Sequence, residues 1–272
     1  MQVIGFGQIN FWDGGSLWIG LAQAPAAMHA HRAIQISVAL AGSLRFREAH
    51  GDGYTQYAAA LVPPNLPHAF DASGSVVANV FCEPESVIGR ALMRRYGNGS
   101  VNALAEAQIG PAREALRVAY ATAEPDEILN QRAREVAESL AGTPTVAAAT
   151  VVSETDQRVV RAVEAITRRL ERPMTLAEIA ASVHLSPGRF RHLFISEMGI
   201  PFRRYLLWRR LQRALELGVQ GASWAEAAHA ANFADSAHLT RTCWRMFGIA
   251  PSALAGIPQP AVGRERLALT RS

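Results

Sequence analysis

The sequence of 272 residues contains no lysine: all 27 basic residues are arginine, a bias that fits a GC-rich coding sequence and carries little functional weight. Long apolar runs are missing too. No stretch approaches the roughly 18 residues of a membrane-spanning helix, and no basic segment, apolar stretch and cleavage site follow one another at the N-terminus. A soluble, cytoplasmic protein without membrane contact is expected. Cysteine is scarce, and Cys82 and Cys243 lie far apart without metal-ligand spacing, which suits a reducing compartment and leaves no disulfide framework. Cys82 is either an oxidant sensor or a structural thiol.

What is present is enough apolar residue, 49%, to bury the cores of two domains. Charge divides unevenly between them. Residues 1–155 carry 10 arginines against 14 acids, and residues 156–272 carry 17 arginines against 9 acids. A basic C-terminal half suits phosphate neutralisation, and equally suits a solvated surface.

Residues 1–82 read as short strands separated by turn signals: Val3–Phe6, Leu17–Leu21, Ile34–Ala39, Leu44–Arg47, Tyr54–Ala58 and Val76–Phe81, with Asp13-Gly14-Gly15, Gly42, Gly51-Asp52-Gly53 and Pro63-Pro64-Asn65 between them. Even spacing of many short strands predicts a barrel or sandwich. Within it, His29 and His31 are expected as alternate residues of one strand, so that both project to the same side. Phe11, Trp12, Trp18, Tyr54, Tyr57 and Phe70 are candidates to line an apolar pocket, and equally candidates for ordinary core. The pattern then turns helical, over Ser86–Tyr96, Pro111–Ala123 with proline in its first turn, and Pro125–Leu140.

The C-terminal half contains one pattern twice. Thr175-Leu176-Ala177-Glu178 and Ser223-Trp224-Ala225-Glu226 are capping boxes that start short helices, and Ser186-Pro187 and Asp235-Ser236 cap second helices after a tight turn. Leu185 corresponds to Phe233, Phe190 to Leu239, Phe194 to Cys243, and Met198-Gly199-Ile200-Pro201 to Phe247-Gly248-Ile249-Ala250-Pro251. A short helix, a turn and a capped second helix describe a helix-turn-helix, whose second helix enters the DNA major groove. Outward on those helices lie Arg189, Arg191 and His192, then His238, Thr240, Arg241 and Arg245, donors suited to guanine edges and phosphates. Helix 156–170 precedes the first copy. A connecting helix from Pro201 to about Leu217 gives a rod of roughly 26 Å, which can set two recognition helices into neighbouring turns of one DNA face. Its Arg203, Arg204, Arg209 and Arg210 are phosphate candidates or a solvated face.

These runs, with Ala230-x-x-Phe233-x-Asp235-Ser236-x-His238-Leu239-x-Arg241 and Phe247-Gly248-x-x-Pro251 above all, resemble the DNA-binding domain of the AraC/XylS family of bacterial transcription regulators. The resemblance covers roughly the last hundred residues. Departures are Asn232 where the family usually has Gly, Cys243 where it usually has Phe, and no Tyr-Arg after Pro251; Asn tolerates the left-handed conformation that Gly would supply. Position by position, the resemblance implies base-facing sites at Gly188, Arg191 and His192, then Ser236, Ala237, Thr240 and Arg241, with Arg189 beside them. His29, His31, Gln35, Gly42, Pro63-x-Asn65 and His68 resemble the two motifs of cupins, the effector domains that precede many such DNA-binding domains. In metal-binding cupins the matching positions are two His, a Glu and a third His, so Gln35 replaces an anionic ligand. The resemblance leaves two readings of the cluster, a site for a small-molecule effector or a divalent metal (zinc, iron or nickel), and histidines kept for hydrogen bonding; no other cofactor is implied.

The expected fold is α+β in two domains: a cupin-like effector barrel over 1–85, a helical cover or dimerisation segment over 86–140, a linker over 141–155, an all-α DNA-binding domain with two helix-turn-helix motifs over 156–257, and a tail over 258–272. The expected partners are a double-stranded DNA operator, a small-molecule effector, a second copy of the chain with Glu124–Leu140 as the dimer contact, and RNA polymerase if the protein activates. No catalytic residue is assigned and no enzyme is expected; the alternative is a metal-dependent cupin enzyme fused to a DNA-binding domain.

Overall fold

The computed structural model describes residues 5–142 and 156–254, so most of the expected linker and all of the expected tail lie outside the described residues. The architecture is the α+β, two-domain one, with a sheet-rich N-terminal part and a helical C-terminal part. Two compact units are formed, Met1–Thr143 together with Cys243–Ser272, and Pro144–Thr242.

Ten strands build the first unit: β1 Gly5–Trp12, β2 Gly15–Ala22, β3 Ala26–His29, β4 Ile34–Ala41, β5 Leu44–Glu48, β6 Thr55–Tyr57, β7 Ala59–Val62, β8 His68–Asp71, β9 Val76–Cys82 and β10 Asn102–Ala103. They pair antiparallel in a six-stranded sheet, β1-β2-β9-β4-β7-β10, and a four-stranded sheet, β3-β8-β5-β6. The β1–β2 hairpin turns on Asp13-Gly14 between the paired Trp12 and Gly15, with Gly14 at φ +87°, the conformation for which a two-residue turn selects Asp-Gly. β4 is buried on both faces. Ile34, Ile36 and Val38 pack under the helices, whereas Ala39, with Ala60, Val62 and Val77 of the same sheet, packs on Leu44 and Phe46 of the smaller one.

The expected strand over Tyr54–Ala58 and its neighbours needs correction. The chain leaves the small sheet after Tyr57 and enters the large one at Ala59, so one apolar run serves two sheets. Helices α1 Val87–Tyr96, α2 Glu106–Ala121 and α3 Asp126–Ala141 cover the large sheet. Ser86 caps α1 through its side chain. Pro111 does not open α2, as expected from sequence, but lies in its second turn; the helix has already started at Glu106. Leu129, Ala133, Val136, Ala137 and Leu140 of α3 are buried in the unit's own core, so the apolar face offered as a dimer contact is used within the chain.

Helices α4 Gln157–Arg168, α5 Leu176–Ser182, α6 Pro187–Met198, α7 Phe202–Val219 and α8 Trp224–Ala230 belong to the second unit, and α9 Ser236–Phe247 starts there. From Cys243 onward the chain, including a 3-10 turn at Pro251–Ala253, belongs to the first unit. Phe190, Phe194, Phe202 and Tyr205 form the centre of the first helix-turn-helix core, with Ile166 and Ile179 against them. Both capping boxes are closed reciprocally, Thr175 with Glu178 and Ser223 with Glu226. The two turns match bond for bond. Leu185 and Phe233 N–H donate to Ala180 and Ala228 O at 2.9 Å, and His184 and Asn232 N–H donate to Ala181 O at 3.1 Å and His229 O at 3.0 Å. Both are Schellman turns, with His184 at φ +57° and Asn232 at φ +58° in the left-handed region.

Candidate functional site

The second helix of each helix-turn-helix presents the expected face. Ser186 accepts from Arg189 N–H with Pro187 at the first helical position, and Asp235 Oδ1 accepts from His238 N–H at 2.6 Å. Gly188, Arg189, Arg191 and His192 are exposed on α6, and Ser236, Ala237 and Arg241 on α9. Thr240 is half-buried and donates its hydroxyl to Ser236 O at 2.8 Å. Among the described residues, the guanidinium groups of Arg189, Arg191 and Arg241 form no ion pair. On α7, Arg203 and Arg204 are exposed, while Arg209 and Arg210 are half-buried; Arg210 donates to Arg172 O at 3.2 Å and is engaged within the helical unit.

The barrel brings His29, His31 and His68 together, all buried, with ring centroids 4.3–5.6 Å apart. The sequence expectation that His29 and His31 share a strand is corrected: His29 ends β3 and His31 lies beyond it, so convergence comes from the bend of the chain. Each ring is pinned in the same way. His29 Nδ1 is 2.7 Å from Ala27 O, and His31 and His68 Nδ1 are 2.8 Å from Ala33 O and Leu66 O. A carbonyl oxygen only accepts, so in His29 and His68 Nδ1 carries the hydrogen and Nε2 keeps a lone pair. Burial holds all three rings neutral. It lowers His29 to about 3, helped by His31, and lowers His31 and His68 as well, His68 helped by its two neighbours. His68 Nε2 is buried with no partner.

Gln35 is buried on β4, with Oε1 2.8 Å from His31 Nε2. Its orientation follows from a polar chain: Gln35 Nε2 donates to Ser37 Oγ at 2.8 Å, and the Ser37 hydroxyl donates to Asn79 Oδ1 at 2.5 Å. His31 thus has an acceptor oxygen at each ring nitrogen, Ala33 O at Nδ1 and Gln35 Oε1 at Nε2, both at 2.8 Å. The ligand atoms of the three histidines all lie within 4.8 Å of one another. Ser37 and Asn79 were missed from sequence, although each is a polar residue inside an otherwise apolar strand. Also missed was a buried cluster beside His31, in which Arg32 pairs with Glu83 at 3.2 Å and Glu85 at 2.6 Å.

Next to the histidines lies a pocket of about 120 Å³. Of the candidate aromatics, Trp18 and Phe70 line it; Trp12 packs on the helical cover and under Arg134, and Tyr54 lies beneath Arg45 and Arg47 at the surface. Phe81 and Phe247 complete the wall, with Phe247 4.8 Å from the Trp18 ring and 5.7 Å from Phe81. Cys82 is buried, its thiol pushed up to about 12 by desolvation and then by Glu83, which suits a structural thiol rather than a reactive one.

A family model described as a helix-turn-helix domain matches residues 179–256. An uncharacterised helix-turn-helix-type transcriptional regulator of Escherichia coli K12, YidL, is 37% identical over 86 residues, which make up 31% of this chain and 29% of that relative. The chain thus spans under a third of the curated relative it matches. The apo crystal structure of a ToxT variant from Vibrio cholerae superposes with a TM-score of 0.56 at 12% identity, over 89% of this chain and 96% of that one. The unsaturated fatty acid-bound form of wild-type ToxT gives 0.52 at 12% identity, over 91% and 96%. At such identity the likeness is one of fold, and it extends across both the sheet-rich and the helical parts. The duplicated helix-turn-helix of the C-terminal part is thus a helix-turn-helix domain similar to those of transcription regulators, and the whole chain shares its fold with ToxT.

Proposed function

We propose that the protein binds double-stranded operator DNA through α6 and α9 and that its barrel is the sensing domain of a one-component regulator. The observation that carries this reading is the pair of matched, capped helices whose outward arginines are free of ion pairs among the described residues. Arg191 and His192 are the base readers of the first half-site, because Gly188 beside them offers no side-chain donor. Arg203 and Arg204 contact phosphate. A homodimer, and contact with RNA polymerase if the protein activates, complete the reading.

The test is binding to a duplex recovered by selection from a random-sequence library. Arg191→Ala is expected to lose about 1–3 kcal/mol on that duplex and to relax one base position, while binding to random DNA stays level. An unchanged ratio of selected to random binding removes the base-reading role.

Within the barrel, His29, His31 and His68, with Gln35 as a weak fourth donor, fit a divalent cation. Backbone carbonyls orient all three imidazoles as outer-shell partners do in metal sites, and three neutral histidines suit zinc with one open position, or iron or nickel. His29, His31 and His68 would hold such a cation where β3 and β8 meet, and it would supply a Lewis-acidic centre there. Metal content of natively purified protein beside its His68→Ala variant decides this. Stoichiometric metal that disappears in the variant supports it, and metal-free wild type eliminates it, leaving the barrel to an organic effector. A fatty acid, the ligand of one ToxT structure, is not carried over, since no lysine or arginine lines the pocket.

A further inference from the structure

The pocket beside the histidines has a chemistry of its own. Its residues include Trp18, Phe70, Phe81 and Phe247, and no charged side chain lines it. A cavity of about 150 Å³ lined by apolar side chains holds benzene. The present pocket, about 120 Å³ and open on one side, is of that order and takes a single aromatic ring whose substituent can reach beyond the enclosed volume. Trp18, Phe81 and Phe247 pack on one another, at 5.3, 4.8 and 5.7 Å between rings, and so form one continuous aromatic wall that favours a planar ligand through edge and offset contacts.

The lining also carries the polar groups of Gln8, His29, Gln35 and Asn79 and the unpaired Trp18 Nε1, and among them Asn79 has its amide orientation fixed by its neighbours. Asn79 Oδ1 is occupied, receiving the Ser37 hydroxyl at 2.5 Å and Gln35 Nε2 at 3.3 Å. That fixes the amide orientation and leaves Asn79 Nδ2 as a donor without a hydrogen-bond partner among the described residues. A ligand with an acceptor oxygen satisfies it. An anion finds a donor but no counter-charge, and burying an uncompensated carboxylate in such surroundings is strongly unfavourable.

We infer that this pocket is the binding site of a neutral, monocyclic aromatic molecule bearing a carbonyl-type acceptor, held against the wall of Trp18, Phe81 and Phe247 with its oxygen toward Asn79 Nδ2. The assignment rests on the reading of the barrel as a sensing domain and names the class of its effector. It concerns the pocket's own side chains and is tested on chelator-treated, full-length protein.

Three probes of nearly one shape separate the terms: acetophenone, cumene and benzoate, each titrated calorimetrically. Acetophenone is expected to bind at least tenfold more tightly than benzoate. Asn79→Leu is expected to weaken acetophenone roughly five- to tenfold while leaving cumene within about twofold, the size of one hydrogen bond. Asn79→Ser, which keeps an acceptor for Ser37, serves if the leucine variant does not fold. Benzoate binding as well as acetophenone, equal losses of acetophenone and cumene in the variant, or no binding of any probe each overturn the assignment. Acetophenone that binds as stated but leaves affinity for the selected duplex unchanged overturns the sensing reading instead, and the ligand class stands.

Discussion

Gly199 and Gly248 occupy the same position in the two helix-turn-helix copies. Both follow the last turn of a second helix, at φ +69° and +68°, and both donate their N–H to the carbonyl four residues back, Ile195 or Trp244, at 2.9 Å. Around Gly199 there is open space. A Cβ on Gly248 would overlap the Ala27 carbonyl oxygen and stand 2.8 Å from both Ala27 N and His29 Nδ1. The end of α9 is also tied to the edge strand β3: Ala27 N–H donates to Gly248 O at 3.0 Å and Ala30 N–H to Arg245 O at 3.3 Å. One sequence signal thus serves two purposes. In the first copy glycine only ends a helix; in the second it also allows the helix end, whose last carbonyls need donors, to lie against a strand whose outer N–H groups need acceptors.

Substitution by alanine is the sharpest way to separate the two. Gly199→Ala is expected to cost roughly 1 kcal/mol, the penalty of a Cβ in the left-handed region. Gly248→Ala adds the overlap with Ala27 and is expected to exceed about 4 kcal/mol unless the segment detaches. Detachment has its own readout: amide exchange at Ala27 and Ala30 should become fast in Gly248→Ala and stay slow in Gly199→Ala. Equal losses of stability with unchanged exchange would mean that the contact with β3 is not maintained in solution.

The preceding residues extend the comparison at smaller scale. Met198 is buried in the first helix-turn-helix core, whereas Phe247 is buried against Trp18, Phe81 and His31. Truncating either to alanine should cost about 2–4 kcal/mol by cavity formation. With 5-fluorotryptophan incorporated, the Trp18 resonance is expected to move in Phe247→Ala and to hold in Met198→Ala. A stationary resonance in both would remove Phe247 from the pocket wall.

This contrast also marks how far the sequence could be read. Helix starts and stops were legible because capping is local: Thr175 to Glu178, Ser223 to Glu226 and Ser186 before Pro187 each close within three residues. The Asp13-Gly14 hairpin and the left-handed Asn232 were legible for the same reason. The histidine set and Gln35 were found through resemblance, and their shared backbone pinning was not. Short β3 and β8 escaped because four residues rich in Ala and His show no alternation, and the switch of sheets at Ala58 escaped because nothing local requires it. Phe247 escaped because its place in a helix-turn-helix signature already accounted for it. A helical period says which side of a residue is buried, not what buries it.

The smallest expected effect lies at the two turns, where the copies differ by residue type rather than surroundings. His184 and Asn232 hold nearly the same left-handed φ and the same bonds, within one compact unit. Asparagine reaches that region at little cost because its short amide bonds locally, whereas the longer imidazole of His184 pays more of the Cβ penalty. Glycine relieves the penalty but raises the entropy of the unfolded chain, so the two effects partly cancel. His184→Gly is therefore expected to stabilise the helical unit by about 0.5 kcal/mol, and Asn232→Gly to change it by no more than a few tenths of a kcal/mol. Denaturant titrations of both variants beside wild type resolve a difference of that size when the m-value is unchanged. A gain at Asn232 equal to that at His184 would show that the backbone region alone, and not the side chain occupying it, sets the cost of the turn.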